Sequence, residues 1–166
     1  VCPGIAVVRS MPNRPALLGA GATALYADAG VSAADREFAQ RVLEVTGLTV
    51  WVEREGDLDW VTALSGSGPA YFFLLAELLA KSAAARGIAP ETAARLAAHT
   101  LYGAGQMAGM PDADLKRLRE EVTSRGGTTA AALASFEANG LAALVDAAVN
   151  AAGERSRELG DQFGRE

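Results

Sequence analysis

The change in residue pattern near Asp57 constrains the fold of this chain more than any other feature. Before Asp57, short β-branched runs surround one amphipathic segment; after it, alanine-rich stretches follow one another, separated by Gly, Pro and Asn. Alanine-rich stretches predict helices, because alanine is the strongest helix former, and Gly and Pro mark the turns between them. Helices are predicted over 70–86, 91–107, 129–138 and 141–159, and a short charged one from Asp112 or Asp114 to 121. Residues 58–166 are therefore expected to be helical throughout.

The first 57 residues instead predict a small sheet. β-Branched and apolar runs indicate strands over 5–8, 22–26 and 48–52, the first one buried and ending in a loop. A strand, strand, helix, strand order is typical of the closing part of an α/β sheet domain. Because such a sheet is too small to stand alone, we expect an N-terminal portion to be missing from this chain.

The predicted helix between the second and third strands covers 35–46. Ser32 followed by Asp35 is the pattern of a helix N-cap, and Gly47 is placed to close the helix. Its apolar residues recur on one face at Phe38, Val42 and Val45.

Composition and charge limit the class of protein. Half of the 166 residues are hydrophobic, so a packed core is expected, and the net charge of -5 argues against a nucleic-acid surface. A single cysteine, Cys2, excludes an internal disulfide and favours a reducing compartment, which we interpret as the cytoplasm. The longest apolar segment, 70–80, is much shorter than the ~20 residues that span a bilayer, so no membrane association is predicted.

A hydroxyl-rich segment around Gly126 and Gly127 is the strongest candidate for a binding site. Ser124, Thr128 and Thr129 can each donate and accept a hydrogen bond. Helix formers follow directly, with Thr129 as the predicted cap. Free amides at a helix N-terminus, fronted by glycine and hydroxyls, suit a small anion such as a carboxylate. A Gly-Gly turn without a ligand is the alternative, and the segment alone leaves it open.

Other motifs predict no site. Residues 19–24 read G-x-G-x-x-A, but the dinucleotide fingerprint needs a strand before it and a helix after it, and here β-like residues follow. The segment 65–69 is glycine-rich but lacks the ending of a phosphate-binding loop; it predicts a helix start, with Ser67 or Gly68 as the cap and Pro69 in the first turn. His99, the only histidine, lacks Cys or acidic partners at metal-ligand spacing, so no metal is expected.

Four segments in register carry a resemblance to a known family. They are Arg9–Ala16, Ser65–Ala70, Val122–Thr129 with the helix behind it, and Glu154–Leu159. Through these segments the sequence resembles pyrroline-5-carboxylate reductase, and the resemblance covers essentially the whole chain. The resemblance implies a mixed fold: the C-terminal remnant of an α/β Rossmann-like sheet over 1–57, then an all-α helical substrate-binding and dimerisation domain over 58–166.

The resemblance also implies an activity. It predicts reduction of 1-pyrroline-5-carboxylate to L-proline with NADP as the cofactor, NAD being possible, by a homodimer or higher homo-oligomer. Members of this family begin with a Rossmann unit of roughly a hundred residues, to which nothing here corresponds. Arg125 stands where the family usually has proline, and Arg14 where it usually has threonine. A non-catalytic dimerisation fragment and a reductase of a related cyclic imine remain as alternatives.

Residue roles follow from the same resemblance. The catalytic residue is Thr129, whose hydroxyl is expected to hydrogen-bond the ring nitrogen. The carboxylate is expected to bind Ser124, Gly126, Gly127 and Thr128 as well as Thr129. The nicotinamide is expected beside Met11, Pro12 and Asn13, at the end of a sheet strand. Ser67 is expected either to cap a helix or to contact the site.

Overall fold

The computed structural model describes residues 5–163. Cys2 therefore lies outside the described residues. The strands are β1 (Val8–Met11), β2 (Gly21–Ala27) and β3 (Gly47–Trp51), with a 3-10 helix over Arg14–Leu18. The helices are α1 (Ala33–Glu44), α2 (Asp57–Val61), α3 (Gly68–Ala84), α4 (Pro90–Ala108), α5 (Leu115–Glu121), α6 (Thr128–Ala138) and α7 (Leu141–Phe163), and a π turn over Thr62–Gly66 joins α2 to α3. The predicted order of elements is confirmed.

The sheet has the order β1-β2-β3. β1 runs antiparallel to β2, with Val8 opposite Ala27, and β3 runs parallel to β2, with Leu25 opposite Trp51. The parallel pair needs a crossover connection, and α1 supplies it. β2 is the central strand and carries the buried side chains Thr23 and Leu25.

The first strand lies three residues later than the sequence predicts. The prediction placed a buried strand over 5–8, whereas β1 begins at Val8 and its two middle residues are exposed. The register explains the shift, because β2 ends at Ala27, the partner of Val8, and offers no paired residue beyond it. Strand position here depends on pairing across the sheet and not on the local apolar run.

Helix α1 confirms the predicted N-cap. The Ser32 hydroxyl accepts from the Asp35 amide at 3.1 Å and donates to its carboxylate at 2.7 Å. The predicted apolar face of α1 is exposed. The contacts of α1 with β3 are instead made by polar residues. Gln40 accepts from the Trp51 indole at 2.8 Å, and the Arg36 guanidinium lies 5.2 Å from the centre of the Trp51 ring.

Gly47 has a different role from the predicted one. Helix α1 ends with a right-handed Val45, so Gly47 does not form its cap. Gly47 begins β3 at φ +136°, and a Cβ there would collide with the backbone of Gly21. The glycine is needed because β3 approaches β2 closely at the start of the parallel pair.

The chain forms two compact units, Val1–Pro69 with Asp146–Glu166, and Ala70–Val145. In the first unit, α7 packs on α2 through Trp60. A Cβ on Gly153 would lie 2.5 Å from the Trp60 ring, the Arg157 guanidinium lies 4.6 Å from the ring centre, and Ser156 donates to Asp59 at 2.7 Å. The predicted boundary at residue 57 concerns domains of the family and stays a prediction.

The second unit is helical. It contains most of α3, all of α4, α5 and α6, and the first residues of α7. Of the two predicted starts of α5, Asp112 and Asp114, the second is confirmed: Asp114 is the N-cap, and its carboxylate accepts from the Arg117 amide at 2.8 Å. Large apolar side chains of α3 and α4 are exposed, among them Phe72, Phe73, Leu78, Leu96 and Tyr102. This unit therefore leaves much apolar surface without a covering side chain among the described residues.

The helical stretch Asp57–Ala84 is longer than the apolar segment predicted from the sequence. It is continuous through the π turn for 28 residues and meets the length and hydropathy of a membrane span, with 11% of the apolar window buried. The pair α6 and α7 meets the same criterion when counted together. Helices that other protein surfaces cover also meet it, so the criterion alone assigns no membrane.

Candidate functional site

The segment Ser124–Thr129 forms a tight turn that ends on helix α6. Gly126 adopts φ +71°, in the left-handed region, and the Gly127 amide donates to the Ser124 carbonyl at 3.0 Å. Before the turn, the Thr123 hydroxyl donates to the Arg119 carbonyl at 2.6 Å. The first glycine is therefore required by the backbone conformation, because other residues adopt it at a cost.

Helix α6 begins one residue earlier than predicted. Gly127 is the N-cap and no side chain caps the helix, so Thr128 and Thr129 lie in the first turn and Thr129 is not the cap. The extended backbone of Gly127 makes this possible, and its carbonyl accepts from the Ala131 amide at 3.1 Å. The amides of the first turn have no intrahelical acceptor and face outward from the N-terminus.

The predicted carboxylate ligands lie together in this turn. A Cβ on Gly127 would collide with the Ser124 hydroxyl, so the second glycine leaves space for that side chain. The Gly127 amide is used within the turn, which leaves the amides of Thr128 and Thr129 as the outward donors. Ser124 and Thr128 are exposed and Thr129 is half-buried. A small anion placed here would meet amides, hydroxyls and the positive end of the helix dipole.

Met11, Pro12 and Asn13 lie in the first unit, at the end of β1. The Asn13 side chain accepts from the Ala22 amide at 2.9 Å and donates to the Ser65 carbonyl at 3.0 Å. The Met11 methyl lies against Gly66, where a Cβ would come within 2.6 Å of it. Pro12, between them, is exposed. Ligands of α/β sheets collect at the carboxyl ends of parallel strands. Because β1 is antiparallel to β2, the carboxyl end of β1 lies beside the first residues of β2 and not beside its carboxyl end.

The predicted start of the long helix at Ser67 or Gly68, with Pro69 in the first turn, is confirmed, because α3 begins at Gly68. The sequence did not predict the π turn Thr62–Gly66 that comes before it. Ser67 lies between the π turn and α3 with right-handed backbone dihedrals, and its amide donates to the Thr62 carbonyl at 2.8 Å. Two hydroxyls bond back to carbonyls four residues earlier, Thr62 to Leu58 at 2.8 Å and Ser65 to Val61 at 3.1 Å. Such bonds bend helices, and a π turn is found often at functional sites. The sequence signal was the pair Thr62 and Ser65 beside Gly66.

Among residues 5–163, the remaining motifs form neither a metal site nor a dinucleotide-binding turn. His99 is exposed and stands 5.7 Å from the Tyr102 ring, and no cluster of three or more His, Cys, Asp or Glu in this range could hold a metal ion. Gly19 closes the 3-10 helix and Gly21 begins β2. The rejection of a dinucleotide fingerprint at 19–24 is therefore confirmed, since a strand and not a helix follows.

One ion pair at the start of α2 shifts the titration of its members. The Asp57 carboxylate accepts from the Arg54 guanidinium at 2.6 Å. This hydrogen bond lowers the pKa of Asp57 and raises that of Arg54. The pair belongs neither to the turn Ser124–Thr129 nor to the segment Met11–Asn13. It joins the residues before α2 to the first turn of that helix.

Comparison with known proteins identifies the family. The family described as pyrroline-5-carboxylate reductase dimerisation matches residues 55–159. The chain belongs to this family. The match begins close to the start of α2 and covers α3 to α6 and most of α7, so the helices after the sheet are those of the pyrroline-5-carboxylate reductase dimerisation family.

Curated relatives agree with the family over nearly the whole chain. The pyrroline-5-carboxylate reductase of Pseudomonas aeruginosa is 51% identical over 159 residues, and that of Haemophilus influenzae is 44% identical over 158. These alignments cover 96% and 95% of the chain. The chain spans 58% of the length of each of these relatives.

Solved structures of the same family share the fold. A pyrroline-5-carboxylate reductase from Coxiella burnetii matches with a TM-score of 0.90 at 39% identity, over 95% of this chain and 58% of that one. The enzyme of Plasmodium falciparum, solved with NADP bound, matches with a TM-score of 0.81 at 32% identity, over 95% of this chain and 63% of that one. The fold is therefore a sheet remnant followed by a helical domain.

Proposed function

We propose that the natural protein containing this chain reduces 1-pyrroline-5-carboxylate to L-proline with NADPH or NADH, and that this chain carries its substrate-binding and dimerisation part. The observation that carries the proposal is the turn Ser124–Thr129 at the N-terminus of α6, in a chain that belongs to this family. The turn offers the donors that a small carboxylate needs, and the family supplies the reaction.

This reaction needs few general acid or general base residues from the protein. When bound, the dinucleotide would supply a hydride to the imine carbon, and the C=N π electrons would move to the ring nitrogen. A hydrogen bond or proton given to the imine nitrogen makes that carbon electrophilic and neutralises the electron pair that the nitrogen gains, so the protein mainly has to fix geometry and place a donor at the nitrogen. We assign that donor to the Thr129 hydroxyl, with water as the proton source.

The carboxylate of the substrate is assigned to the outward donors of the turn. The amides of Thr128 and Thr129, the Ser124 hydroxyl and the backbone around Gly126 and Gly127 surround the helix N-terminus. The half-buried Thr129, in the first turn of the same helix, carries the hydroxyl that we assign to the ring nitrogen. Arg125 is exposed in the same turn, which agrees with a solvated side chain or with an added charge near the carboxylate.

The residues at the end of β1 fit contact with a flat cofactor ring. Met11 and Asn13 are anchored by neighbours, and Pro12 is exposed between them. A fixed apolar surface of this kind can lie beside a nicotinamide without hydrogen-bonding it. The Plasmodium relative binds NADP, which supports NADP as the cofactor, with NAD as the second possibility.

The assembly we propose is a homodimer or higher homo-oligomer in the cytoplasm, without nucleic acid or membrane. The match to a dimerisation family and the exposed apolar side chains of α3 and α4 support the oligomer. The negative net charge supports the absence of nucleic acid.

An NADPH-dependent assay of the natural protein, paired with its intact mass, tests the proposal. The 166-residue chain has a mass of 17.1 kDa. We expect the natural protein to oxidise NADPH in the presence of 1-pyrroline-5-carboxylate and the isolated chain to be inactive. Preference for another cyclic imine in a substrate panel would favour the related reductase. An intact dimer without dinucleotide binding would favour the non-catalytic dimerisation module.

A further inference from the structure

The Asn13 carboxamide joins three parts of the first unit. Its oxygen accepts from the Ala22 amide at the start of β2, and its nitrogen donates to the Ser65 carbonyl in the π turn. These partners are nine and 52 residues away in sequence. Both bonds are partly buried, where a broken hydrogen bond costs more than it does at the surface.

The bond to Ser65 satisfies a carbonyl of the π turn. In this turn the Ser67 amide reaches back five residues to Thr62, so the usual ladder of bonds is shifted by one. The residue four positions after Ser65 is Pro69, which has no N–H, so the Ser65 carbonyl lacks its usual helical donor. Asn13 supplies that donor, and the turn and the end of β1 are thereby held together.

A second contact joins the same two segments. The Met11 methyl occupies the space beside Gly66, where a Cβ would lie 2.6 Å from it. Met11 and Asn13 thus contact the π turn from both sides of Pro12. The peptide at Pro12 is fixed at each end, while Pro12 itself is exposed.

We propose that Asn13 is a positioning residue, which acts on the dinucleotide by fixing Met11 and Pro12 against the π turn Thr62–Gly66, and that its carboxamide does not bind the cofactor. The proposal rests on the proposed function, because it takes the Met11–Asn13 segment as the nicotinamide surface. It also assigns a role to the π turn, whose Ser65 carbonyl is the anchor.

Two uncharged substitutions test the proposal in the natural protein. Asn13→Ala removes both hydrogen bonds, and Gly66→Ala pushes the Met11 side chain away without touching Asn13. We expect each variant to raise the Kd for NADPH about ten-fold, which is the loss of roughly one good hydrogen bond or contact. The KM for the imine should change less than about two-fold, since its ligands are elsewhere.

Asn139→Ala is the matched control. Its side chain also donates to a backbone carbonyl, that of Ser135 at 2.7 Å, but the bond is exposed at the end of α6. NADPH binding should be unchanged in this variant. Hydrogen exchange of the folded variants gives a readout without turnover: Asn13→Ala should raise the exchange of the Ala22 amide and of 62–67, and Asn139→Ala should not.

The outcomes separate this proposal from the proposed function. A natural protein that binds NADPH but does not reduce the imine would overturn the proposed function. The positioning role of Asn13 would then be decided by the Kd for NADPH of the two variants. Unchanged NADPH binding in folded Asn13→Ala and Gly66→Ala would overturn the positioning role alone. A purely structural Asn13 would lower the melting temperature and the active fraction while the Kd for NADPH stayed at its wild-type value, which would also overturn it.

Discussion

Thr129 differs from the other hydroxyl residues of its turn in burial. Ser124 and Thr128 are exposed, whereas Thr129 is half-buried in the first turn of α6, after the N-cap Gly127. Thr129→Ala in the natural protein should therefore lower kcat by about ten-fold or more, the ~1.4 kcal/mol expected of one transition-state hydrogen bond. Steady-state kinetics with saturating NADPH measure this.

Thr129→Ser is the control, because it keeps the hydroxyl and removes only a methyl group. Activity near wild type in Thr129→Ser and its loss in Thr129→Ala would assign the effect to the hydroxyl. Unchanged kinetics in Thr129→Ala would remove this residue from the mechanism.

At the scale of elements, the packing of α7 on α2 depends on a glycine, Gly153, which leaves space for the Trp60 ring. A Cβ on Gly153 would lie 2.5 to 3.2 Å from atoms of the Trp60 ring. Gly153→Ala should lower the free energy of unfolding by about 1–3 kcal/mol, the usual cost of overpacking. Gly160→Ala, seven residues later on the same helix with nothing within 4 Å, should instead raise it by about 0.5–1 kcal/mol. Urea denaturation compares the two, and equal effects would contradict the Trp60 contact.

The start of α2 should respond to pH through one carboxylate. The Arg54 hydrogen bond lowers the pKa of Asp57 in the folded chain below the ordinary value of 3.8. The bond therefore contributes stability above that value, and the contribution is lost as the pH falls through the lowered pKa. Asp57→Asn should have a lower melting temperature than wild type at pH 7, and the difference should disappear in acid. A difference that persists in fully acidic buffer would show that the carboxylate charge is not its source.

The sequence predicted those elements and site residues whose positions are determined by contacts within a few residues along the chain. The caps at Ser32 and Asp114 bond amides three residues on, and the glycine turn before α6 is built within six residues. The position of β1 depends on its register with β2, and the anchoring of Asn13 depends on a carbonyl 52 residues away. No local pattern contains those partners. The π turn was missed because Gly66 and the serines around it also fit a helix break.

At the scale of the whole molecule, the helical unit has a groove between α3 and α4, and we propose that a second copy of the chain packs there. The groove has a volume of about 740 Å³ and is lined by alanines together with larger side chains that include Phe73, Leu101 and Tyr102. Small residues allow helices to approach closely, and contiguous exposed apolar surface marks an interaction site. The dimerisation family to which the chain belongs supports a copy of the chain as the partner.

Phe73 is the residue with which to test that interface, because 62% of it is exposed in the single chain. A substitution there should leave the fold of one subunit intact and place a charge in the apolar contact. Phe73→Asp should weaken self-association about thirty-fold or more, the ~2 kcal/mol typical of a central aromatic contact. Phe163→Asp, at a phenylalanine that is 70% exposed near the end of α7, is the matched control and should leave the mass unchanged. Sedimentation of the natural protein across a concentration series measures both. A Phe73→Asp protein that keeps the wild-type mass at every concentration would place the interface on another surface, because a desolvated carboxylate without a partner cannot remain at the centre of an apolar contact without a large cost.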